Sequence, residues 1–288
     1  MEAIAEALKK LGISESGCKP YTREEYEQMK AESYNAGEGT LHLADGYNCD
    51  KCKNKGFIAE LRMAEVYGYK VETLVPCRCQ KARNDLSRLA RSGLKDVVKK
   101  YTFENYETSD PWQEKIKEAA MRFCDTQGED WFFIGGQSGA GKTHICTAIA
   151  VHFIRQGKEL KYMLWRDEIT RLKGLITEPE QYGQMMDALK NADVLYIDDI
   201  FKNGKDEVGN VKQPTAADIN AAFEIINYRY NNPGKITIIS SERTLTEMNA
   251  IDEAIAGRIA EKSKEGGYCI NLAKDAKKNW RMKGMLEL

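Results

Sequence analysis

The second half of the chain alternates between two hydrophobic patterns. Compact apolar runs of four to six residues recur at 131–134, 160–165, 194–197, 236–240 and 268–272. They are bounded by polar residues, and most are rich in β-branched or aromatic side chains, which is how strands buried on both faces read. Between them, apolar residues fall every three or four positions, predicting helices over 144–153, 167–175, 182–191, 216–230 and 254–262. Asp110-Pro111 opens a further helix over 112–127, ahead of the first run. Strands alternating with helices predict an α/β fold, a mostly parallel sheet with helices on both faces.

The first half has a different pattern. Ile4, Leu8 and Leu11 share one helical face that Gly12 can end, and Thr22-Arg23-Glu24-Glu25 has the T-x-x-E form that starts a second helix running toward Gly37. Neither helix carries enough apolar surface for a core of its own, so each packs on later segments of the chain or offers a face to a partner. Next come Cys49-x-x-Cys52 and, 24 intervening residues later, Cys77-x-Cys79. Segment 57–74 between them reads as strands or a hairpin. Two cysteine pairs beside glycine and lysine suit a tetrahedral zinc ion, with His42 the only nearby histidine that could substitute as a ligand. A basic helix is expected over 80–100, ending near Ser92-Gly93. The domain junction then falls at 85–100, dividing the chain into 1–90 and 91–288.

Composition narrows the class. At 288 residues, with 42% hydrophobic and 30% charged residues, the chain suits two globular domains. It has no apolar run of membrane-spanning length and no basic-then-apolar leader, so a cytoplasmic location is expected. That setting argues against disulfides among the eight cysteines. Net charge is −1, yet 78–100 holds eight basic residues against two acids, and 274–283 holds five against one, with Trp280 among them. Such clusters are most often solvated faces, so alone they do not establish a phosphate-backbone role.

Candidate chemistry gathers after the first strand. Gly136-Gln137-Ser138-Gly139-Ala140-Gly141-Lys142-Thr143 fits G-x-x-x-x-G-K-[ST] at every fixed position, and His144 comes directly after it. Glycines there let backbone N–H groups turn inward around a triphosphate, Lys142 reaches the β- and γ-phosphates, and the Thr143 hydroxyl binds Mg²⁺. The order strand, glycine loop, helix sets the phosphates on a helix N-terminus. Roughly fifty residues on, Val194-Leu195-Tyr196-Ile197 ends in Asp198-Asp199, at the carboxyl edge of the sheet where ligands bind. Asp198 is the expected Mg²⁺ partner, and Asp199 the group that polarises the attacking water. With no N-K-x-D guanine-reading motif, ATP is expected over GTP.

Together with 139–144 and Asp198-Asp199, the segments Ile225-Ile226-Asn227-Tyr228-Arg229-Tyr230 and Ile238-Ile239-Ser240-Ser241-Glu242 resemble AAA+ replicative helicase loaders of the DnaC/DnaI type, phage-encoded versions especially. The likeness extends through the cysteine module, Ser92-Gly93-Leu94 and Phe103-Glu104-Asn105-Tyr106. It implies a P-loop AAA+ core with a reduced or absent lid, behind a small zinc-binding N-terminal domain. It further implies a γ-phosphate sensor after the fourth strand, for which this chain offers Ser241 or Glu242 where the family commonly has Asn. Arg258, in Gly257-Arg258-Ile259, would be the arginine finger that reaches a neighbouring subunit's ATP, with Arg229 a second such residue or a plain salt-bridge former. The implied partners are a hexameric replicative DNA helicase, gripped by the N-terminal region, single-stranded DNA, and further copies of the chain. Lys161, Arg166 and Lys202 are weak candidates for DNA phosphates. Two rival readings are an IstB-type transposase-helper ATPase, which usually lacks a zinc module, and a small-molecule P-loop kinase.

Overall fold

The structure is a computed structural model and describes residues 21–89, 100–126, 130–204, 212–275 and 278–280. The expected first helix, with Ile4, Leu8 and Leu11, lies outside the described residues, as does the stretch around Ser92-Gly93. The chain divides into two compact units, 1–44 with 48–77 and 45–47 with 78–288.

In the smaller unit, Thr22 opens α1 (Arg23–Ala36): its hydroxyl accepts from the Glu25 N–H, and the Glu25 carboxylate accepts from the Thr22 N–H. Gly37 ends the helix in extended backbone. A short α2 (Leu41–Asp45) comes next, which the sequence pattern does not signal. The segment between the cysteine pairs is an antiparallel hairpin of β1 (Phe57–Ala64) and β2 (Tyr69–Pro76), in register from Phe57 opposite Pro76 to Ala64 opposite Tyr69. Asn35 fastens α1 to it, donating to the Ala59 carbonyl and accepting from the Ala59 N–H.

The larger unit begins with α3 (Cys79–Leu89) and α4 (Pro111–Cys124). Its sheet consists of β3 (Trp131–Gly136), β4 (Leu160–Leu164), β5 (Val194–Asp198), β6 (Ile236–Ser241) and β7 (Cys269–Leu272), ordered β4-β5-β6-β3-β7. Every described pairing in it is parallel, as the alternation predicts. The helices are α5 (Lys142–Arg155), α6 (Trp165–Gly174), α7 (Pro179–Asn191), α8 (Ala216–Asn231), the unanticipated short α9 (Leu245–Asn249) and α10 (Glu253–Lys264).

Strand alternation sorts the core in two. Phe132, Ile134, Tyr196 and Ile238 face one layer, with Ile116 and Phe123 of α4 and Ile145 and Ile149 of α5. Trp131, Phe133, Leu195, Ile197 and Ile239 face the other, with residues of α6, α7, α8 and α10. Successive residues of a strand point to opposite faces, so both faces must be covered, and the central strands carry no polar stripe. Pairing sets Ile197 beside Ile239 and Ile134 beside Ser240, so the carboxyl ends of β5, β6 and β3 come out level.

Candidate nucleotide site and cysteine cluster

The glycine loop joins β3 to α5, and its conformation explains its composition. Gly136, Gly139 and Gly141 sit at φ +109°, +76° and +78°, in the left-handed region that side chains with a Cβ disfavour. At Gly136 a Cβ would also run into the Leu272 carbonyl of β7. Gly141 caps α5, so the first turn of that helix opens with N–H groups unsatisfied by the helix itself, facing the loop. Lys142 is buried and its ammonium donates to the Gly136 and Gln137 carbonyls at 3.0 and 2.8 Å. Burial lowers its pKa, and an anion in the loop would offset that cost.

Asp198 ends β5 beside this loop. Its carboxylate accepts from Thr143 Oγ1 at 3.4 Å, Tyr162 and Tyr196 hydroxyls at 2.9 Å each, and Ser240 Oγ at 2.5 Å. Only 4% of Asp198 is exposed, and burial raises its pKa despite those donors. Thr143 and Asp198 oxygens are thus near the spacing of adjacent ligands on one octahedral cation, about 3 Å. Asp199 is next, at φ +58°, strained for a residue with a side chain, with its N–H held by Ser240 Oγ. Its carboxylate takes the Lys202 ammonium at 2.7 Å.

The family resemblance points to Ser241 or Glu242 as the sensor. Ser241 is buried, donates to the Ile200 carbonyl and accepts from the Arg243 N–H, which directs it into the turn after β5 and away from the loop. Glu242 does reach the loop: it accepts from Ser138 Oγ at 3.3 Å and from Lys202 at 2.9 Å. Burial would raise the Glu242 pKa, but Lys202 prevails and lowers it. Lys202, considered for DNA phosphates, is therefore paired with two carboxylates. Together these groups line a cleft of about 240 Å³ that includes Lys142, Thr143, Asp199, Lys202 and Glu242.

Three residues around Asp198 escape sequence reasoning. Tyr196 carried a signal, since i and i+2 share a strand face. Tyr162 and Ser240 did not, because only the pairing of β4 with β5 and of β5 with β6 brings them alongside. His144 is stacked on Tyr101, with ring centroids 4.5 Å apart, meets Tyr106 edge-on, and bonds the Thr102 carbonyl.

The two arginines part company. Arg229 is 1% exposed, and its guanidinium donates to Thr237 Oγ1 and to the carbonyls of Leu189, Lys190, Ala192 and Ile236. Burial pulls its pKa down to about 9, which leaves it charged at neutral pH. Neither a surface salt bridge nor a finger for a neighbouring nucleotide describes it: it satisfies the carbonyl end of α7 from within the core. Arg258 is half-buried on α10, donates to the Ala254 carbonyl, and lies over the Phe223 and Tyr230 rings at 5.1 and 5.5 Å.

In the N-terminal region the four thiols of Cys49, Cys52, Cys77 and Cys79 lie within 4.8 Å of one another and are buried. Cys49 and Cys77 sulfurs are 3.8 Å apart. A tetrahedral ion with bonds of about 2.3 Å has ligand spacings near ~3.8 Å, so the donor set fits zinc. The first pair sits on a turn with Lys53, Asn54 and Gly56 at positive φ, and the Gly56 N–H points at Cys52 Sγ. His42 is not part of the cluster.

Residues 53–262 match the family described as IstB-like ATP binding protein. Among curated relatives, Bacillus subtilis YqaM, an uncharacterized protein, is 32% identical over 196 residues, 64% of this chain and 59% of YqaM. XkdC of the phage-like element PBSX, also from Bacillus subtilis, is 29% identical over 76% of this chain and 80% of its own length. The replicative helicase loader DnaC of Buchnera aphidicola subsp. Schizaphis graminum is 29% identical over 116 residues, 39% of this chain. The chain thus spans less than two thirds of YqaM and about half, 47%, of that DnaC.

Proposed function

The chain belongs to the family of IstB-like ATP binding proteins, ATPases of AAA+ type, and from that premise we propose that it is a helicase loader switched by ATP. The observation that carries the nucleotide half is the meeting of Lys142, Thr143 and Asp198 at one loop. In this reading the loop N–H groups and Lys142 bind the phosphates, Thr143 and Asp198 hold Mg²⁺, and Mg²⁺ when bound neutralises charge on the transferring phosphoryl group. Asp199 polarises water once Lys202 and Glu242 shift their pairing, and Arg258 completes the site of an adjacent copy.

The replication half rests on sequence similarity to DnaC loaders, with XkdC favouring a phage or prophage setting. The partner would be a hexameric replicative helicase, deposited on single-stranded DNA. Cys49, Cys52, Cys77 and Cys79 would hold one zinc ion, which supplies folding energy rather than catalysis, and residues 1–90 would form the helicase-binding part. The IstB-type transposase-helper ATPase stays the second reading, because the matching family is that of IstB-like ATP binding proteins.

Two variants and one capture experiment test this. Lys142→Ala should weaken ATP binding by about a hundredfold or more, since the phosphates lose their positioned ammonium. Asp199→Asn should keep ATP binding and lower turnover by about 10²-fold or more. The full chain with ATP should retain its cognate replicative helicase on a column. Wild-type turnover by Asp199→Asn would remove the base assignment, and capture of a transposase in place of the helicase would favour the second reading.

A further inference from the structure

The basic C-terminal stretch takes no part in the proposed hydrolysis or helicase contact, yet part of it lies on the glycine loop. The Trp280 N–H donates to the Gly139 carbonyl at 2.9 Å, and the Asp275 N–H donates to Gln137 Oε1 at 3.2 Å. Gly139 has no room for a Cβ because the Asn279 side chain occupies that place. Residues 275 and 278–280 therefore run across the outside of the loop.

Two openings flank the loop crest, and Trp280 lines both. One is the phosphate cleft at Lys142 and Thr143. The other, about 200 Å³, is lined by Asn105, Tyr106, Trp112, Lys278 and Trp280 among others, and shares Gly139, Gly141 and His144 with the first. Its lining mixes the rings of Tyr106, Trp112 and Trp280 with the amides of Asn105 and Gln113 and the carboxylates of Glu107 and Asp110, chemistry suited to a flat heterocycle rather than to phosphate. Tyr106 is 5% exposed, and its buried hydroxyl has no hydrogen-bond partner. Trp280, by contrast, is left 52% exposed at the mouth.

We propose that residues 278–280 are a wall of the nucleotide site, with the Trp280 indole contacting the nucleoside while the phosphates occupy the glycine loop. This rests on the nucleotide-binding reading. A nucleoside leaving the loop toward the second opening gains a stacking surface from the exposed Trp280 indole. Residues 278–280 thereby supply base contacts to a site whose glycine loop binds the phosphates.

The test compares ATP with inorganic triphosphate, which carries the phosphates without the nucleoside, on the full chain with Mg²⁺. Trp280→Ala should weaken ATP binding by about tenfold, the scale of one lost base–aromatic stack. It should leave triphosphate binding unchanged, and Trp280→Phe should recover most of the ATP affinity. Tryptophan emission should shift on adding ATP to the chain that keeps Trp280, and most of that shift should vanish in Trp280→Ala. Trp131 and Trp165 are 1% and 0% exposed and serve as silent background, and Trp112, which lines the same opening, is replaced by Phe in both proteins so that the emission reports Trp280. Equal losses for ATP and triphosphate would mean Trp280 merely props the loop, and overturn the inference. So would unchanged ATP affinity in Trp280→Ala. A wild-type chain that binds triphosphate and ATP equally also overturns it, whereas one that binds neither removes the nucleotide reading itself.

Discussion

At the scale of single residues, Asp198, buried beside the glycine loop, is held by more side chains than its neighbour Asp199. Four hydroxyls converge on it, and still burial holds its pKa above the ordinary 3.8. A carboxyl with a raised folded pKa takes up protons on folding, so its stabilising contribution is complete below the unfolded value and is lost as pH rises through the folded one. Ionised Asp198 is thus a cost at neutral pH that a divalent cation offsets. In metal-free protein, Asp198→Asn should gain on wild type in unfolding free energy as pH is raised from about 4 to 7. Denaturant titrations at both pH values check this, and a difference independent of pH would contradict it. The same variant should lose Mg²⁺-dependent hydrolysis. Arg229 is the converse case: the sequence left it open between a second finger and a salt-bridge former, and its 1% exposure and carbonyl partners show a buried structural contact instead.

At the scale of elements, β3, the loop and α5 form one unit whose parts require each other. The strand ends level with β5 and β6, the positive-φ glycines turn the chain, and α5 presents its N-terminus to the same point. The cysteine turn has an equivalent economy, since Lys53, Asn54 and Gly56 at positive φ fold the first pair back toward the second. If zinc holds this turn together, protein purified without added zinc should contain about one zinc per chain, measured by elemental analysis. Cys52→Ser should reduce zinc content and the thermal stability of the N-terminal region while ATP affinity stays near wild type. Full zinc occupancy in that variant would exclude Cys52 as a ligand.

At the scale of the whole molecule, the smaller compact unit ends at Cys77 and residues 78–89 belong to the larger one, whereas the proposed division of labour falls near residue 90. A fragment of residues 1–90 should bind the replicative helicase without ATP. A fragment from residue 95 onward should bind ATP and, weakly, single-stranded DNA. Counterion release makes the DNA contact salt-sensitive: with about six phosphate contacts, affinity should fall by about 10³ between 50 and 200 mM salt. Helicase binding through apolar faces such as Ile4, Leu8 and Leu11 should change far less, and pull-downs across a salt series separate the two. Helicase capture by the C-terminal fragment alone would overturn this layout.

Much of this architecture is local, and local physics writes itself into sequence. Strand runs, helix periodicity, the Thr22 capping box, the glycine loop and the cysteine pairs each depend on residues a few positions apart, so each was legible before any fold was known. The five parallel strands appeared within one or two residues of their predicted bounds for that reason. Strand order is different, because it depends on which distant segments pair. Only that pairing set Tyr162 and Ser240 on Asp198, buried Arg229 between α7 and β6, and turned Ser241 away while leaving Glu242 at the loop. Trp280 lies 141 positions from Gly139 in sequence and bonds it in space. No periodicity encodes such a contact: the tertiary structure alone brings a tail residue to a loop it never neighbours along the chain.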